Sequence, residues 1–303
     1  MATAKSWIKA ARPRTLPLAL SGIIMGCGLA WFYGTIHAPV SVLAIITAIC
    51  IQIFSNFAND YGDSRKGTDN LYRIGPSRTV QTGEITLKEM EKGMIFVGGL
   101  SLFFGSWLVY VATWHISPAV FLRFIGLGVL SLLAAWFYTS GKHAYGYVGL
   151  GDLAVFLFFG LLPVAGAFFL NAGFLKPAVL LPAGTMGLFS AGVLNLNNMR
   201  DIGNDKRSGK ITLPVRMGER ISRVYHLVLV LCGWIAVVVY TYEEQRSPWQ
   251  WLFLLVFPLF VNDLVKVYKI RDAAGLDPFL KRLALSTLAF TILFCMGLVL
   301  SVF

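Results

Sequence analysis

The chain contains nine apolar runs, each long enough to cross a membrane, with short charged segments between them. A transmembrane α-helix needs about 20 predominantly apolar residues. The composition agrees, because 56% of the residues are apolar and 14% are charged, whereas a soluble domain carries roughly a quarter charged residues. We therefore expect an all-α integral membrane protein that forms a single transmembrane domain over residues 1–303. The predicted helices cover residues 16–34, 39–58, 94–114, 118–138, 151–171, 177–197, 223–242, 249–268 and 283–302.

The positive charges predict how these helices are oriented in the membrane. Of the 26 Lys and Arg residues, all but Arg123, Lys176 and Arg246 fall in segments that share one side if the N-terminus is cytoplasmic. An excess of Lys and Arg marks the cytoplasmic side. The sequence thus predicts a cytoplasmic N-terminus, an external C-terminus and two long charged loops on the cytoplasmic face of a bacterial inner membrane. The first apolar run is long for a signal peptide and has no convincing cleavage site, so we expect it to be retained.

The charges and cysteines disfavour two other kinds of protein. The net charge of +11 is divided among short segments between apolar runs, and no continuous basic element exists for a nucleic acid to bind. We therefore predict no nucleic-acid partner. The cysteines Cys27, Cys50, Cys232 and Cys295 lie inside apolar runs without metal-ligand spacing, which is typical of small buried hydrophobic residues.

Two similar acidic motifs follow the second and sixth predicted helices. Residues 56–63 have the sequence NFANDYGD, and residues 197–205 have the sequence NNMRDIGND. Each motif has an Asn four residues before an Asp and a second Asp three or four residues further on. Ionisable groups beside membrane helices are costly and point to function, and two motifs at matched positions argue against simple helix caps. Asp60 and Asp201 are 141 residues apart, which predicts two parallel four-helix repeats, about 16–138 and 151–268, followed by a ninth helix over 283–302.

The spacing within each motif predicts a binding site for a divalent cation. Residues three and four apart lie on one face of a helix, so each motif presents its amide and carboxylates as a stripe. Carboxylates that converge in this way repel one another unless a cation joins them, and hard oxygen ligands suit Mg²⁺. Because bound Mg²⁺ keeps open sites for phosphate oxygens, a phosphate-bearing ligand is implied. The predicted stripes are Asn56, Asp60 and Asp63, and Asn197, Asp201 and Asp205.

Cations near the motifs fit the same ligand. A diphosphate needs its charge neutralised, and more so as it leaves. Arg78 lies between turn-forming residues and is predicted to act in catalysis, whereas Lys88 and Lys92 are predicted only to fix topology. The other cations that we expect to bind substrate are Arg65 and Lys66 after the first motif, Arg200 within the second, and Lys142.

A third inner segment carries tyrosines. Tyr138 is predicted to bind substrate and Tyr145 to act in catalysis, because an aromatic ring face stabilises a developing cation. Tyr147 is interpreted as an interfacial belt residue. His143 is a candidate proton acceptor or a solvated loop residue, and Asp152 is either a helix cap or a catalytic group.

Together, these segments resemble the UbiA-type intramembrane aromatic prenyltransferases over nearly the whole chain. Within that family they are most similar to the enzymes of menaquinone biosynthesis that use 1,4-dihydroxy-2-naphthoate. The first motif departs from the common form, because its second Asp follows after three residues where the family usually has four. The segments that carry the resemblance are residues 11–17, 55–63, 75–85, 145–152, 197–205, 209–218 and 276–278.

The resemblance implies an electrophilic aromatic substitution. A polyprenyl diphosphate would bind through Mg²⁺ held by the four motif aspartates with help from Asn56 and Asn197. Arg78 would stabilise the departing diphosphate, and the naphthoate ring would attack the prenyl cation and lose its carboxylate, giving demethylmenaquinol. Asp69 either extends the metal cluster or is a solvated loop acid.

Three alternatives remain at this stage. The acceptor could be another aromatic compound, such as 4-hydroxybenzoate or homogentisate. A transporter could use paired acidic motifs to bind cations, although transporters usually place them near the bilayer midplane in inverted repeats. A structural membrane subunit gives no reason for two matched motifs. Neither the oligomeric state nor the prenyl chain length follows from the sequence.

Overall fold

A computed structural model describes residues 2–70, 72–114, 116–142 and 144–303, and within these ranges it contains helices and no strands. This confirms the predicted all-α class. The α-helices are α1 Ala4–Ala11, α2 Leu16–Phe32, α3 Ala38–Arg65, α4 Leu87–Thr113, α5 Pro118–Thr139, α6 Gly151–Val155, α7 Leu162–Ala172, α8 Leu180–Arg200, α9 Ile202–Arg207, α10 Leu213–Glu243, α11 Phe257–Lys269 and α12 Asp277–Leu300.

Nine segments of the described chain are long and apolar enough to cross a membrane, as predicted. α1 and α2 form one of them, and α6 joins α7 through a π-helical turn at Phe156–Leu161. Three helices begin earlier than hydropathy predicts. α4 starts at Leu87 because Thr86 and Glu89 form a capping box, and α12 starts at Asp277. α10 starts at Leu213, and a kink at Gly218, whose φ is 77°, separates its first turn from the rest of the helix. Helical hydrogen bonding continues into water past the apolar run, so hydropathy alone does not locate these ends.

Packing against neighbouring helices positions the C-terminal ends of α3 and α8, which carry the two acidic motifs. α3, which carries the first motif, packs against α4 and α5, and α8, which carries the second, packs against α10 and α12. Gly62 sits against α5, where an added Cβ would lie 2.7 Å from Thr139 Cβ. The Thr139 hydroxyl also donates a hydrogen bond to the Ala58 carbonyl at 3.1 Å. A side chain at position 62 would therefore push the first motif away from α5.

Small residues and a large aromatic cluster hold the second half together. Gly160 of the π-helical turn faces α8, where an added Cβ would lie 2.7 Å from the Ala183 carbonyl oxygen. Beside it, the buried ring of Phe189 packs against Trp234 and Phe290 with centroid distances of 6.1 and 5.4 Å. Close backbone approach and dispersion contacts are the main source of helix association in membranes, and they fix α8 as a rigid support for the second motif.

Candidate active site

Both acidic motifs lie at one end of a single cavity of about 870 Å³. Asp63 lines it from the first motif, and Asp201 and Asp205 line it from the second. The other end is apolar and reaches Leu108, Phe124 and Leu170, together with further residues of α2, α3, α4, α5 and α7. The cavity thus joins a charged end to a long apolar interior.

In the first motif, Asp60 is enclosed by two arginines. Only 1% of its surface is exposed. It forms an ion pair with Arg12, and the Nε atom of Arg78 lies 3.6 Å from its Oδ1. Asn56 holds the chain just before α2 in place, because its amide donates to the Ala11 carbonyl at 2.9 Å and to Thr15 Oγ1 at 3.0 Å. That docking is what brings Arg12 to Asp60.

In the second motif, Arg200 organises the neighbouring side chains. Its buried guanidinium donates two hydrogen bonds to Asp201, at 2.6 and 3.1 Å. It also donates to Asn197 Oδ1 at 2.8 Å and to Asp277 Oδ1 at 2.5 Å. A bidentate Arg–carboxylate pair fixes orientation as well as charge. Arg200 was predicted to bind substrate, but its donors are used within the protein, so here it positions Asp201 and the start of α12.

A tyrosine outside both motifs holds the first motif to the following loop. The Tyr147 hydroxyl lies 2.7 Å from Asp63 Oδ1 and 2.5 Å from Thr68 Oγ1. The Asn204 amide donates to the Thr68 carbonyl oxygen at 2.9 Å. Thr68 and Tyr147 are buried, and together with Asn204 they connect the two motifs. The interpretation of Tyr147 as a belt residue is therefore wrong.

Burial and neighbouring charges shift the pKa values around the second motif. Burial raises the pKa of Asp205 to about 6, and this rise outweighs the opposing effect of Lys210, whose Nζ lies 3.6 Å away. Burial alone would raise the pKa of Asp201, but the hydrogen bonds and positive charge of Arg200 have the larger combined effect and lower it. Asp201 is thus held as a carboxylate, whereas Asp205 takes up a proton at a higher pH than an ordinary aspartate.

Three arginines, Arg12, Arg73 and Arg78, lie close enough together for their charges to interact. Burial, followed by the charges of Arg12 and Arg73, lowers the pKa of Arg78 well below its usual range. Arg73 lies 3.3 Å from Asp69 and 4.0 Å from Asp201. Three buried or half-buried arginines in one place favour the entry of an anion.

The donor set suits Mg²⁺, which the sequence predicts. Several buried oxygen atoms have no hydrogen-bond partner in the described part of the chain, including Asp205 Oδ2, Asn59 Oδ1 and Asn204 Oδ1. These are hard oxygen donors of the kind that Mg²⁺ prefers. The four carboxylates were predicted to converge on one point. Among the described residues, however, no group of three or more His, Cys, Asp or Glu side chains lies at metal-binding distance. Each of Asp60, Asp201 and Asp205 faces an arginine or lysine, because a buried carboxylate needs a nearby positive charge.

The remaining predicted residues divide between the cavity and the surface. Tyr138 and Tyr145 both line the cavity and meet edge to face, with ring centroids 5.3 Å apart. By contrast, Arg65, Lys66 and Lys142 are exposed and do not line it. Arg65 and Lys66 instead stack on the rings of Tyr61 and Tyr147. His143 lies outside the described residues.

The structure shows the surroundings of Asp69 and Asp152, for each of which the sequence allowed two interpretations. Asp69 is buried beside Arg73, and burial followed by the Asp63 charge raises its pKa to about 6. The interpretation of Asp69 as a solvated loop acid is therefore wrong. Asp152 is buried near Tyr225, whose hydroxyl lies 3.4 Å from its Oδ1, and it does not line the cavity.

Sequence reasoning missed four residues of this site: Arg12, Arg73, Thr68 and Asp277. Arg12 lies 48 residues before its partner Asp60, so no local spacing connects them. Asp277 could have been found from its position just before Pro278 at the start of the last helix, because a negative charge is stabilised at a helix N-terminus.

Comparisons with known proteins identify the family. The sequence profile of the UbiA prenyltransferase family matches residues 19–288. The 1,4-dihydroxy-2-naphthoate octaprenyltransferases of Escherichia coli and Haemophilus influenzae are 43% and 40% identical to the chain. The alignments cover 98% and 97% of this chain and 96% of each relative. A UbiA homologue from Archaeoglobus fulgidus, solved with GPP and Mg²⁺ bound, superposes with a TM-score of 0.62 at 15% identity over 95% of this chain and 99% of that one. With nine apolar helical segments in the described part of the chain and a cavity that is charged at one end and apolar at the other, the chain belongs to the UbiA prenyltransferase family and is a membrane-embedded prenyltransferase.

Proposed function

We propose that the chain transfers a polyprenyl group from polyprenyl diphosphate to 1,4-dihydroxy-2-naphthoate, with Mg²⁺ and with loss of CO2. The products are demethylmenaquinol and diphosphate, which places the enzyme in menaquinone biosynthesis. The relatives from E. coli and H. influenzae support this acceptor through their names and their identity over nearly the full chain.

The observation that carries the proposal is the combination of two environments in one cavity. A polyprenyl diphosphate has an anionic head and a long apolar tail, and the cavity offers a basic and acidic end followed by an apolar interior. Burial of the tail in this interior keeps its apolar surface out of water. The same burial keeps water away from the reacting carbon, since a prenyl cation exposed to water would be hydrolysed.

The chain's own residues account for much of the chemistry. Arg78, which is buried beside Arg12 and Arg73, would bind the diphosphate together with Arg73 and stabilise the charge that it gains as the C–O bond breaks. The electron pair of that bond leaves with the diphosphate. The ring of the acceptor then forms a C–C bond to the prenyl carbon, and departure of its carboxylate as CO2 restores the aromatic ring. Tyr138 and Tyr145 line the same cavity and would present ring faces to the cation.

The motif aspartates would hold the metal. Asp60, Asp63, Asp201 and Asp205 are the predicted ligands, and the unpartnered oxygens of Asn59, Asn204 and Asp205 provide further donors. When bound, Mg²⁺ would neutralise diphosphate oxygens and so make the diphosphate a better leaving group.

Purified protein incubated with radiolabelled octaprenyl diphosphate tests the proposal. We expect a prenylated, decarboxylated product from 1,4-dihydroxy-2-naphthoate, no comparable product from 4-hydroxybenzoate, and activity that disappears with EDTA and returns with Mg²⁺. Asp201→Asn should reduce turnover at least about a hundredfold, as expected when a charged group that acts in the transition state is lost. Lys92→Gln, an exposed change outside the cavity, is the control. Product from 4-hydroxybenzoate alone would assign a different acceptor.

We also propose that the charged end of the cavity faces the cytoplasm. The supporting observation is the distribution of Lys and Arg. In a cysteine-free background, Gln245→Cys should react with a membrane-impermeant maleimide in intact cells, and Lys88→Cys should react only after permeabilisation. Both positions are exposed. The reverse labelling pattern would mean that the charged end faces outward.

The division of the chain into two parallel four-helix repeats remains a prediction.

A further inference from the structure

Two cations that line the cavity have no acidic partner in the part of the chain that the structure describes. Seven Lys and Arg side chains line the cavity. Five of them, Arg12, Arg73, Arg78, Lys210 and Arg282, lie within 4.0 Å of an aspartate oxygen. Arg14 and Lys281 have no such partner and make no side-chain hydrogen bond within the described residues.

These two cations come from elements that contact each other. Arg14 belongs to the 3₁₀ turn Pro13–Thr15, and that turn packs on α12, which carries Lys281. Lys281 lies four residues after Asp277, so both lie on one face of α12. Asp277 is already bound by Arg200 at 2.5 Å. The turn and the first part of α12 therefore present two further cations to the cavity, beside the Arg200–Asp277 pair of the second motif.

The charges around Arg14 add to this imbalance. Its neighbours include Arg12, Arg73 and Arg200, and Asp277 is the opposing charge. Like charges at short range raise the free energy of the empty site, and an anion bound between them lowers it. Both Arg14 and Lys281 are exposed to water, so an anion arriving from solution can reach them.

We propose that Arg14 and Lys281 bind the carboxylate of the aromatic acceptor and set the enzyme's preference for a carboxylated ring. This inference rests on the proposed function, in which the reaction needs two anionic groups in one cavity. The diphosphate would be bound by Arg73, by Arg78 and by the metal that the motif aspartates hold. The carboxylate is the second anion, and the two unpaired cations are the groups left to hold it.

A separate carboxylate site also has a chemical reason. An acceptor carboxylate placed at the motifs would compete with the aspartates for Mg²⁺, because both are hard oxygen ligands. Cations on the turn and on α12 would instead hold the acid away from the metal. Arginine is suited to this task because its planar guanidinium binds a carboxylate through two parallel hydrogen bonds.

The test compares two acceptors that differ only in the carboxylate. Steady-state rates are measured for wild type, Arg14→Gln, Lys281→Gln and the double variant, with 1,4-dihydroxy-2-naphthoate and with 1,4-dihydroxynaphthalene. We expect the double variant to raise the KM for the naphthoate at least about tenfold, the range of one lost charge-assisted hydrogen bond. The KM for the decarboxylated ring and the KM for octaprenyl diphosphate should stay within about twofold of wild type.

The outcomes separate this inference from the proposed function. If wild type prenylates neither naphthalene acceptor, the proposed function fails. If wild type uses the naphthoate and the double variant keeps the same KM for it, only the carboxylate site is wrong. A rise in the KM for octaprenyl diphosphate with no rise for the naphthoate would assign Arg14 and Lys281 to the diphosphate and overturn the inference. Lys92→Gln, which also removes one exposed charge but lies outside the cavity, should match wild type in all three constants.

Discussion

The Tyr147 hydroxyl offers the sharpest test of how the first motif is positioned. In Tyr147→Phe, the ring remains and the hydrogen bonds to Asp63 at 2.7 Å and to Thr68 at 2.5 Å are lost. A hydrogen bond to a charged group contributes about 1.5–3 kcal/mol. If that energy orients Asp63 in the transition state, each 1.36 kcal/mol corresponds to about tenfold in rate. We therefore expect kcat/KM to fall about 10- to 150-fold.

The neighbouring tyrosine is the matched control. Tyr145 lies in the same 3₁₀ turn, but its hydroxyl donates to the Ala134 carbonyl oxygen at 2.6 Å. Tyr145→Phe removes one neutral hydrogen bond, worth about 0.5–1.5 kcal/mol of folding stability, and keeps the ring that lines the cavity. We expect kcat/KM within about threefold of wild type. Rates from both variants are measured with radiolabelled octaprenyl diphosphate, and a larger loss in Tyr145→Phe than in Tyr147→Phe would refute this account of the turn.

Three other perturbations follow from the packing and charge of the site. Arg200→Gln removes a buried cation between Asp201 and Asp277, and losing one partner of a buried pair should cost about 3–5 kcal/mol, seen as a lower midpoint in thermal unfolding. Gly62→Ala should destabilise by about 1–3 kcal/mol through overlap with Thr139 and should reduce prenyl transfer, because it displaces the first motif. Removal of divalent ions by EDTA should stop activity without shifting the unfolding midpoint, because arginine and lysine already face the motif carboxylates.

Each of these has a result that would contradict it. An unchanged midpoint in Arg200→Gln would mean that water or another cation satisfies both acids. For Gly62→Ala the control is Gly99→Ala, because an added Cβ at position 99 of α4 meets nothing within 4 Å, and equal loss in the two variants would point to a general helix effect. Unfolding by EDTA alone would show that the metal, not the arginines, holds the motifs.

Much of the fold could be predicted from the sequence because membrane helices are a local property. Twenty apolar residues form a helix whatever lies beside them, since the bilayer leaves no other way to satisfy the backbone. For that reason the nine predicted spans correspond to the nine found among the residues that the structure describes. The helix ends were predicted less well. α10 begins at Leu213, ten residues before the predicted start at 223, because a short first turn precedes a kink at Gly218 and the long apolar helix follows that kink.

The site was predicted in part. Polar residues at the ends of apolar runs are visible in the sequence, so Asp63, Asp201 and Asp205 were found, and all three line the cavity. Contacts between distant segments were not visible. The pairing of Arg12 with Asp60 depends on how the turn after α1 docks on α3. The role of Tyr147 depends on a loop fold that brings it to Thr68, and its composition alone is that of any interfacial tyrosine.

The hydrogen bond from Asn204 to the main-chain carbonyl of Thr68 has a consequence for how the family can diverge. Every amino acid supplies a carbonyl oxygen, so this link between the two motifs constrains the side chain at position 204 and leaves position 68 free as far as this bond is concerned. A substitution at position 68 would therefore remove the side-chain contact with Tyr147 and still keep the main-chain link that spaces the two motifs.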